Sequence, residues 1–272
     1  MIITELPLSF PIYSSQQLQN RYRENCSGIP YKLISPTDAI LPFQMYFAGT
    51  IIKPISEWKI YSETGSMIKD ISSSISTHLR TEIRGDKQFT WYNGTKIADL
   101  SLGCGFYEMR IAFTGITGYY YSEIFYVAGF ERSQASSYLK LTYRNEDNIG
   151  PIQYEDTKIT VSGVDYDFQN IIYLDSFITH TDPLLEIETE KDGFNNELVT
   201  FSKFNNRLLT EVVVPDYLKT ALLMVQLHKS VVLELKNSSR ILAISRVMVK
   251  TQQMTETAEC TSLTQLTFED NC

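Results

Sequence analysis

From residue 41 onward, apolar and polar positions alternate with a period of two, in short runs separated by Gly, Asn, Ser or Asp. Phe43–Ala48, Glu57–Tyr61, Leu79–Ile83 and Phe89–Tyr92 are runs of this kind, with the length and alternation of half-buried strands. The clearest comes next: in Phe106–Thr114, Tyr107, Met109, Ile111 and Phe113 alternate with Glu108, Arg110, Ala112 and Thr114. Gly115 and Gly118 bracket a turn, and Tyr119–Val127 returns as the second strand of a hairpin.

Residues 128–137 are small and polar and read as a linker. A second strand set follows, at Tyr138–Tyr143, Lys158–Ser162, Ile171–Phe177, Leu184–Thr189, Glu197–Phe204, Arg207–Val214, Val231–Leu235, Ile241–Thr251 and Leu263–Phe268. One helix interrupts it. After Pro215, Asp216 is placed to cap a start, and Leu218, Ala221, Leu222 and Val225 form one apolar stripe at i, i+3, i+4 and i+7. The helix is expected over 216–229, with His228 and Lys229 placing positive charge against its last carbonyls.

Residues 1–40 carry Pro7, Pro11, Pro30 and Pro36 and a Gln-rich run at 16–19, the pattern of an extended arm or loosely packed strand with a short helix. Short strands at spacings of about ten residues predict a mainly β chain of two β-sandwich (Ig-like) domains, at 41–132 and 133–272. The arm at 1–40 precedes them, and the single short helix belongs to the second.

The chain has 272 residues, 43% of them hydrophobic and 21% charged, which excludes disordered, collagenous and disulfide-dense classes. Its net charge is −8, against a nonspecific electrostatic grip on nucleic acid. The charge is uneven: residues 1–140 carry 13 Lys and Arg against 12 Asp and Glu, and residues 141–272 carry 11 against 20, so the halves stand at +1 and −9. Unlike faces of this kind suit head-to-tail stacking. No signal peptide or bilayer-length apolar run is visible, so the chain is expected to be made in a cytoplasm, with no membrane partner.

Candidate chemistry is sparse. Cys26, Cys104, Cys260 and Cys272 form no CxxC pair, and His78, His180 and His228 stand apart from one another, so no metal or redox motif is readable. Glu146 and Asp147, Glu155 and Asp156, and Asp165 and Asp167 pair carboxylates in the manner glycoside cleavage requires, but neighbouring acids in β loops are mostly solvated. Cys104, between Gly103 and Gly105, opens a strand with no helix after it to activate a thiolate. GxSxG, Walker and GxGxxG motifs are all missing. No catalytic residue, metal ligand or cofactor is assigned.

The aromatic load, 17 Tyr, 14 Phe and 2 Trp, is more informative. Tyr119, Tyr120 and Tyr121 are consecutive and must point to alternate faces of a strand. Their outward members are interface candidates, because Tyr combines an apolar ring with a polar tip. The competing reading has the N-terminal arm covering this hairpin.

The run Leu100-Ser101-Leu102-Gly103-Cys104-Gly105-Phe106-Tyr107, followed by Tyr120-Tyr121-Ser122-Glu123-Ile124-Phe125-Tyr126-Val127, resembles virion proteins of tailed phages and prophages of Bacteroidetes, including the crAss-like phages. Val214-Pro215-Asp216-Tyr217-Leu218, with Ala221-Leu222 and Leu227-His228, is similar to a second segment of the same proteins.

The resemblance implies a tail or neck protein located in the virion: a ring or adaptor subunit around the DNA exit channel, without catalytic residues. Its partners would be itself, in a cyclic ring of roughly 6 or 12 copies, and neighbouring tail, portal or ring proteins. DNA would pass through the lumen without specific binding. An alternative is a carbohydrate-binding or adhesin module stacking sugars on Trp58, Trp91 and Tyr119–Tyr121, and a third is an acid-pair glycosidase.

Overall fold

The structure is a computed structural model. It describes residues 12–17, 31–33, 43–49, 51, 53–73, 79–84, 87–92, 100–128, 138–144, 159–161, 164–166, 170–228, 230–235, 240–253 and 261–270. Their strands are, in chain order, β1 (Ile12–Ser14), β2 (Tyr31–Leu33), β3 (Phe43–Ala48), β4 (Ile55–Ser62), β5 (Met67–Asp70), β6 (Leu79–Arg84), β7 (Lys87–Tyr92), β8 (Gly105–Phe113), β9 (Tyr120–Ser122) and β10 (Phe125–Val127). There follow β11 (Leu139–Arg144), β12 (Ile159–Val161), β13 (Val164–Tyr166), β14 (Asn170–Leu174), β15 (His180–Lys191), β16 (Glu197–Pro215), β17 (Ser230–Leu235), β18 (Arg240–Gln253) and β19 (Thr261–Asp270). The helix α1 (Asp216–Val225) joins β16 to β17.

The protein is mainly β, built on two large, mostly antiparallel sheets with α1 in the second. In the first sheet, β8 pairs with β4 on one edge and with β9 and β10 on the other, and β5 extends it beyond β4. Its alternation is the expected one: Tyr107, Met109, Ile111 and Phe113 of β8 are buried with Trp58 and Ile60 of β4. A three-stranded sheet, β3-β7-β6, contributes Met45 to the same apolar core. The link between the two is polar and buried. Gln88 of β7 accepts the Lys53 N–H at 2.7 Å and donates to the Lys53 carbonyl at 3.0 Å, satisfying the chain just before β4.

The hairpin differs from its expected form in one place. Its return arm is two strands, not a continuous Tyr119–Val127. Tyr120 lies opposite Ile111, and Tyr121 opposite Arg110, but Phe125 lies opposite Tyr107. One extra residue is therefore accommodated between Ser122 and Phe125, a bulge that shifts the side-chain phase by one. Without it Phe125 would stand opposite outward-facing Phe106; with it Phe125 and Val127 are buried. Ser122 completes the bulge: its hydroxyl accepts the Met109 N–H at 2.9 Å and donates to the Glu123 carbonyl at 2.8 Å. At the hairpin turn, Gly115 (φ 73°) and Gly118 (φ 98°) adopt the left-handed backbone that favours glycine.

Part of the N-terminal arm covers this hairpin's outer edge. β1 pairs antiparallel with β9, setting Tyr13 beside Tyr121, and β2 pairs parallel with β10. After β1, Ser14 and Gln17 form a capping box: the Ser14 N–H donates to Gln17 Oε1 at 2.8 Å, and the Gln17 N–H to Ser14 Oγ at 3.3 Å.

The second sheet runs β14-β11-β17-β18-β19-β16-β15, and every pairing in it is antiparallel. All pairings of the first sheet lie within residues 12–127 and all of the second within 139–270. Leu208, Thr210, Val212 and Val214 of β16, with Leu266 and Phe268 of β19, form the buried face. Leu218, Ala221, Leu222 and Val225 of α1 are buried as the apolar stripe required, and α1 packs on β16, β18 and β19.

Several expected boundaries change, two of them for a local physical reason. Glu197–Phe204 and Arg207–Val214 are one strand, because β15 pairs straight through Asn205 and Asn206, opposite Leu184 and Pro183. Sheet context overrides the turn preference of that Asn pair. The helix ends at Val225, short of 229. There the Leu227 N–H bonds to the Met224 carbonyl at 3.0 Å and the His228 N–H to the Val225 carbonyl at 3.0 Å, a tightened last turn. The 129–137 segment and Lys229 lie outside the described residues.

Two predictions follow from these contacts. Ser122→Ala leaves the buried Met109 N–H without its side-chain acceptor and should cost about 1–3 kcal/mol in urea unfolding. His228 is buried, with Nδ1 2.8 Å from the Met224 carbonyl and its ring edge-to-face with Tyr143. Burial depresses its pKa below the ordinary 6.5, so it acts as a neutral cap and not as the cation expected from sequence. The unfolded chain takes up this proton first, so stability is intact above pH 6.5 and falls as pH drops from there toward the lowered folded value. In His228→Asn, which keeps a donor, urea midpoints measured against pH should lose that part of the slope.

Candidate interaction surface

The outward face of the first sheet is set by the same alternation that buries Trp58, Ile60, Met109 and Ile111. It carries Glu57, Lys59 and Tyr61 from β4, Glu108 and Arg110 from β8, and Tyr119 and Tyr121 from the hairpin. Their positions are mutually fixed. The Arg110 guanidinium lies 4.0 Å from the centroid of the Tyr61 ring and 5.7 Å from that of Tyr121, and its Nε bonds Glu108 at 2.5 Å. Stacking between two rings with a carboxylate alongside holds a cation that is 28% exposed in one geometry.

Beside this group, Glu57 accepts from Lys59 at 2.7 Å and from the Tyr119 hydroxyl at 2.8 Å. The Lys59 bond, then the Tyr119 bond, hold the Glu57 carboxyl below its ordinary range, and the Glu57 bond pushes the Tyr119 hydroxyl up. At the other end of the face, the Phe106 and Tyr126 rings lie 4.8 Å apart with their planes tilted at 42°, and the exposed Cys104 Sγ lies 3.3 Å from the Tyr126 hydroxyl.

The three candidate tyrosines therefore separate. Tyr120 is buried and packs edge-on against Phe113 at 5.4 Å, so it belongs to the core and is withdrawn as an interface residue. Tyr119 and Tyr121 are outward but only half-buried, and both are engaged by neighbours on their own sheet. Trp58 is fully buried, which removes it as a sugar-stacking platform. Trp91 and His180 are described only as positions in β7 and β15, and Asp165 only as a position in β13. His78, Glu146, Asp147, Glu155, Asp156 and Asp167 lie outside the described residues. Among the described residues no group of three or more His, Cys, Asp or Glu is placed to hold a metal ion.

Apart from Phe106, the large exposed apolar side chains lie elsewhere among the described residues. Met67 and Ile68 on β5 are 55% and 49% exposed, Val213 on β16 53% and Ile241 on β18 68%. Phe194, in the β15–β16 turn, is 89% exposed. The sequence pattern gave little sign of these positions; only a Phe within Asp-Gly-Phe-Asn-Asn, where a turn needs no apolar residue, stands out.

No protein-family model matches the chain, and no curated protein matches it. Among solved structures, the crystal structure of Dpr2 Ig1-Ig2 in complex with DIP-Theta Ig1-Ig3 aligns over 90% of this chain and 88% of that chain, at 10% identity and a TM-score of 0.16. At that score the likeness carries no weight for fold or function.

Removing the Tyr119 hydroxyl tests the polar cluster. In Tyr119→Phe the Glu57 carboxyl should titrate at higher pH than in the parent, read by carboxylate NMR, with the fold unchanged. An unmoved Glu57 would mean that the hydrogen bond is not formed in solution.

Proposed function

We propose that this chain is a non-enzymatic structural subunit of a tailed-phage virion, a tail or neck protein that closes into a cyclic homo-oligomeric ring and stacks on neighbouring portal or tail components. The observation that supports it best is the exposure of large apolar side chains at ordered strand positions on both sheets, Met67 and Ile68 on one and Val213 and Ile241 on the other. Exposed apolar positions on rigid sheets suit protein contacts. The resemblance at residues 100–127 and 214–228 supplies the virion context.

The unequal charge of the two halves, +1 and −9, suits head-to-tail contact between unlike surfaces. Side chains along the sheets are braced by cross-strand ion pairs, Lys140–Glu234 at 2.9 Å and Arg207–Glu269 at 3.1 Å. The Lys140–Glu234 pair is partly exposed and adds little stability, whereas Arg207 partners a Glu269 carboxylate that is buried.

Sedimentation velocity of the purified chain over a wide concentration range, with negative-stain imaging, tests this. Closed rings of uniform size are the expected outcome. A monomer at every concentration, alone and with portal and tail proteins from the same genome, overturns it.

A further inference from the structure

The two large sheets share no strand pairing among the described residues, so packing between elements must join them. Among the described elements, the broadest contact across this division is that of β2 with β14. β2 is lightly held. It has three residues, paired in parallel with β10 alone, Tyr31 opposite Phe125 and Leu33 opposite Val127. So short a ladder on one side belongs to the low-stability end of a fold, where segments open locally while the rest stays folded.

β14 comes last in the order of the second sheet and pairs only with β11. All five of its residues are nonetheless buried, Asn170 with Ile171, Ile172, Tyr173 and Leu174. Asn170 is the exception in chemistry. It is fully enclosed, opposite Tyr143, and neither its Oδ1 nor its Nδ2 has a hydrogen-bond partner. A carboxamide offers two donors and an acceptor, all satisfied in water, and enclosing it unbonded costs the full desolvation of those groups. Thr264 provides a comparison: its Oγ1 is also buried without a partner, but it lies inside the sheet, opposite Val212 of β16 and Thr251 of β18.

We propose that β2 is a releasable strap between the two sheets, held shut by its pairing with β10 and opposed by the dry carboxamide of Asn170. When β2 lifts from β10, β14 loses its cover and Asn170 takes up water. The shut form carries the desolvation of Asn170 and the open form does not, so this residue shifts the balance toward release, as an apolar residue at the same place would not. Opening removes the broadest contact between the sheets while leaving the pairings within each intact.

Hydrogen exchange of the full chain, resolved at residues 31–33 and 170–174, tests the strap. In the parent both segments should exchange through one opening, ahead of β16 and β19. Asn170→Leu, which keeps the size of the side chain and removes the carboxamide, should slow both segments about tenfold. Replacing β2 by Tyr31→Gly, Lys32→Ser and Leu33→Gly together should speed exchange at 170–174, a segment the replacement does not touch. Thr264→Val should leave both segments at the parent rate. The strap is overturned if the β2 replacement leaves 170–174 unmoved, or if Asn170→Leu slows 170–174 alone. Unchanged or faster exchange in Asn170→Leu would mean that the carboxamide is satisfied in solution and does not oppose closure. Equal slowing by Thr264→Val would trace the effect to global stability, and would overturn the strap as well.

Discussion

The first sheet depends on one slip in a ladder. Strand alternation is rigid: a residue's face is fixed by its count from the last paired residue, so an odd insertion inverts everything beyond it. Between Ser122 and Phe125 the chain makes such an insertion, and Ile12, Tyr120 and Ser122 on one side and Phe125 and Val127 on the other all reach the same core. A slip also leaves a buried N–H on the facing strand in need of an acceptor, and Ser122 supplies it to Met109. Dividing the return arm in two also divides its outer edge, so β1 can run antiparallel to one half and β2 parallel to the other.

The second sheet solves a different problem. Its strands are long, and β16 serves two partners, β15 along its first part and β19 along its last, with the two overlapping at Arg207–Leu209. A strand shared in this way ties a projecting hairpin to the body of the sheet, so the β15–β16 turn is carried on continuous backbone pairing. At the other end of β16 the chain turns directly into α1, whose stripe closes over Val212, Val214 and Leu266. His228 ends that helix as a neutral donor, because the apolar packing that holds it excludes the solvent a cation needs.

Polar groups in this molecule mostly serve neighbours on their own sheet. The Tyr61–Arg110–Tyr121 stack and the Tyr119–Glu57–Lys59 cluster satisfy one another, which explains how a face rich in tyrosine can be half-buried without a partner bound to it. Among the described residues, the large apolar side chains left exposed include Met67 and Ile68 on β5, Val213 and Ile241 on the second sheet and Phe194 at a turn.

Much of the architecture was legible in the residues alone. Period-two runs located β3 and β8 closely and the i, i+3, i+4, i+7 spacing located the buried stripe of α1, because alternation and a 3.6-residue repeat are local properties that burial on one side enforces. That Tyr119, Tyr120 and Tyr121 alternate in face follows from the same count, but that Tyr120 is the inward one was decided by its pairing opposite Ile111. What the residues did not disclose was decided by pairing across the sheet. Asn205 and Asn206 remain extended because β15 holds them, Ser122 marks a bulge because Met109 lies opposite, and Met67 and Ile68 are exposed on β5, the last strand of its sheet among the described residues. Each of these depends on what lies alongside, a relation between segments distant in the chain, and only the folded arrangement of strands contains it.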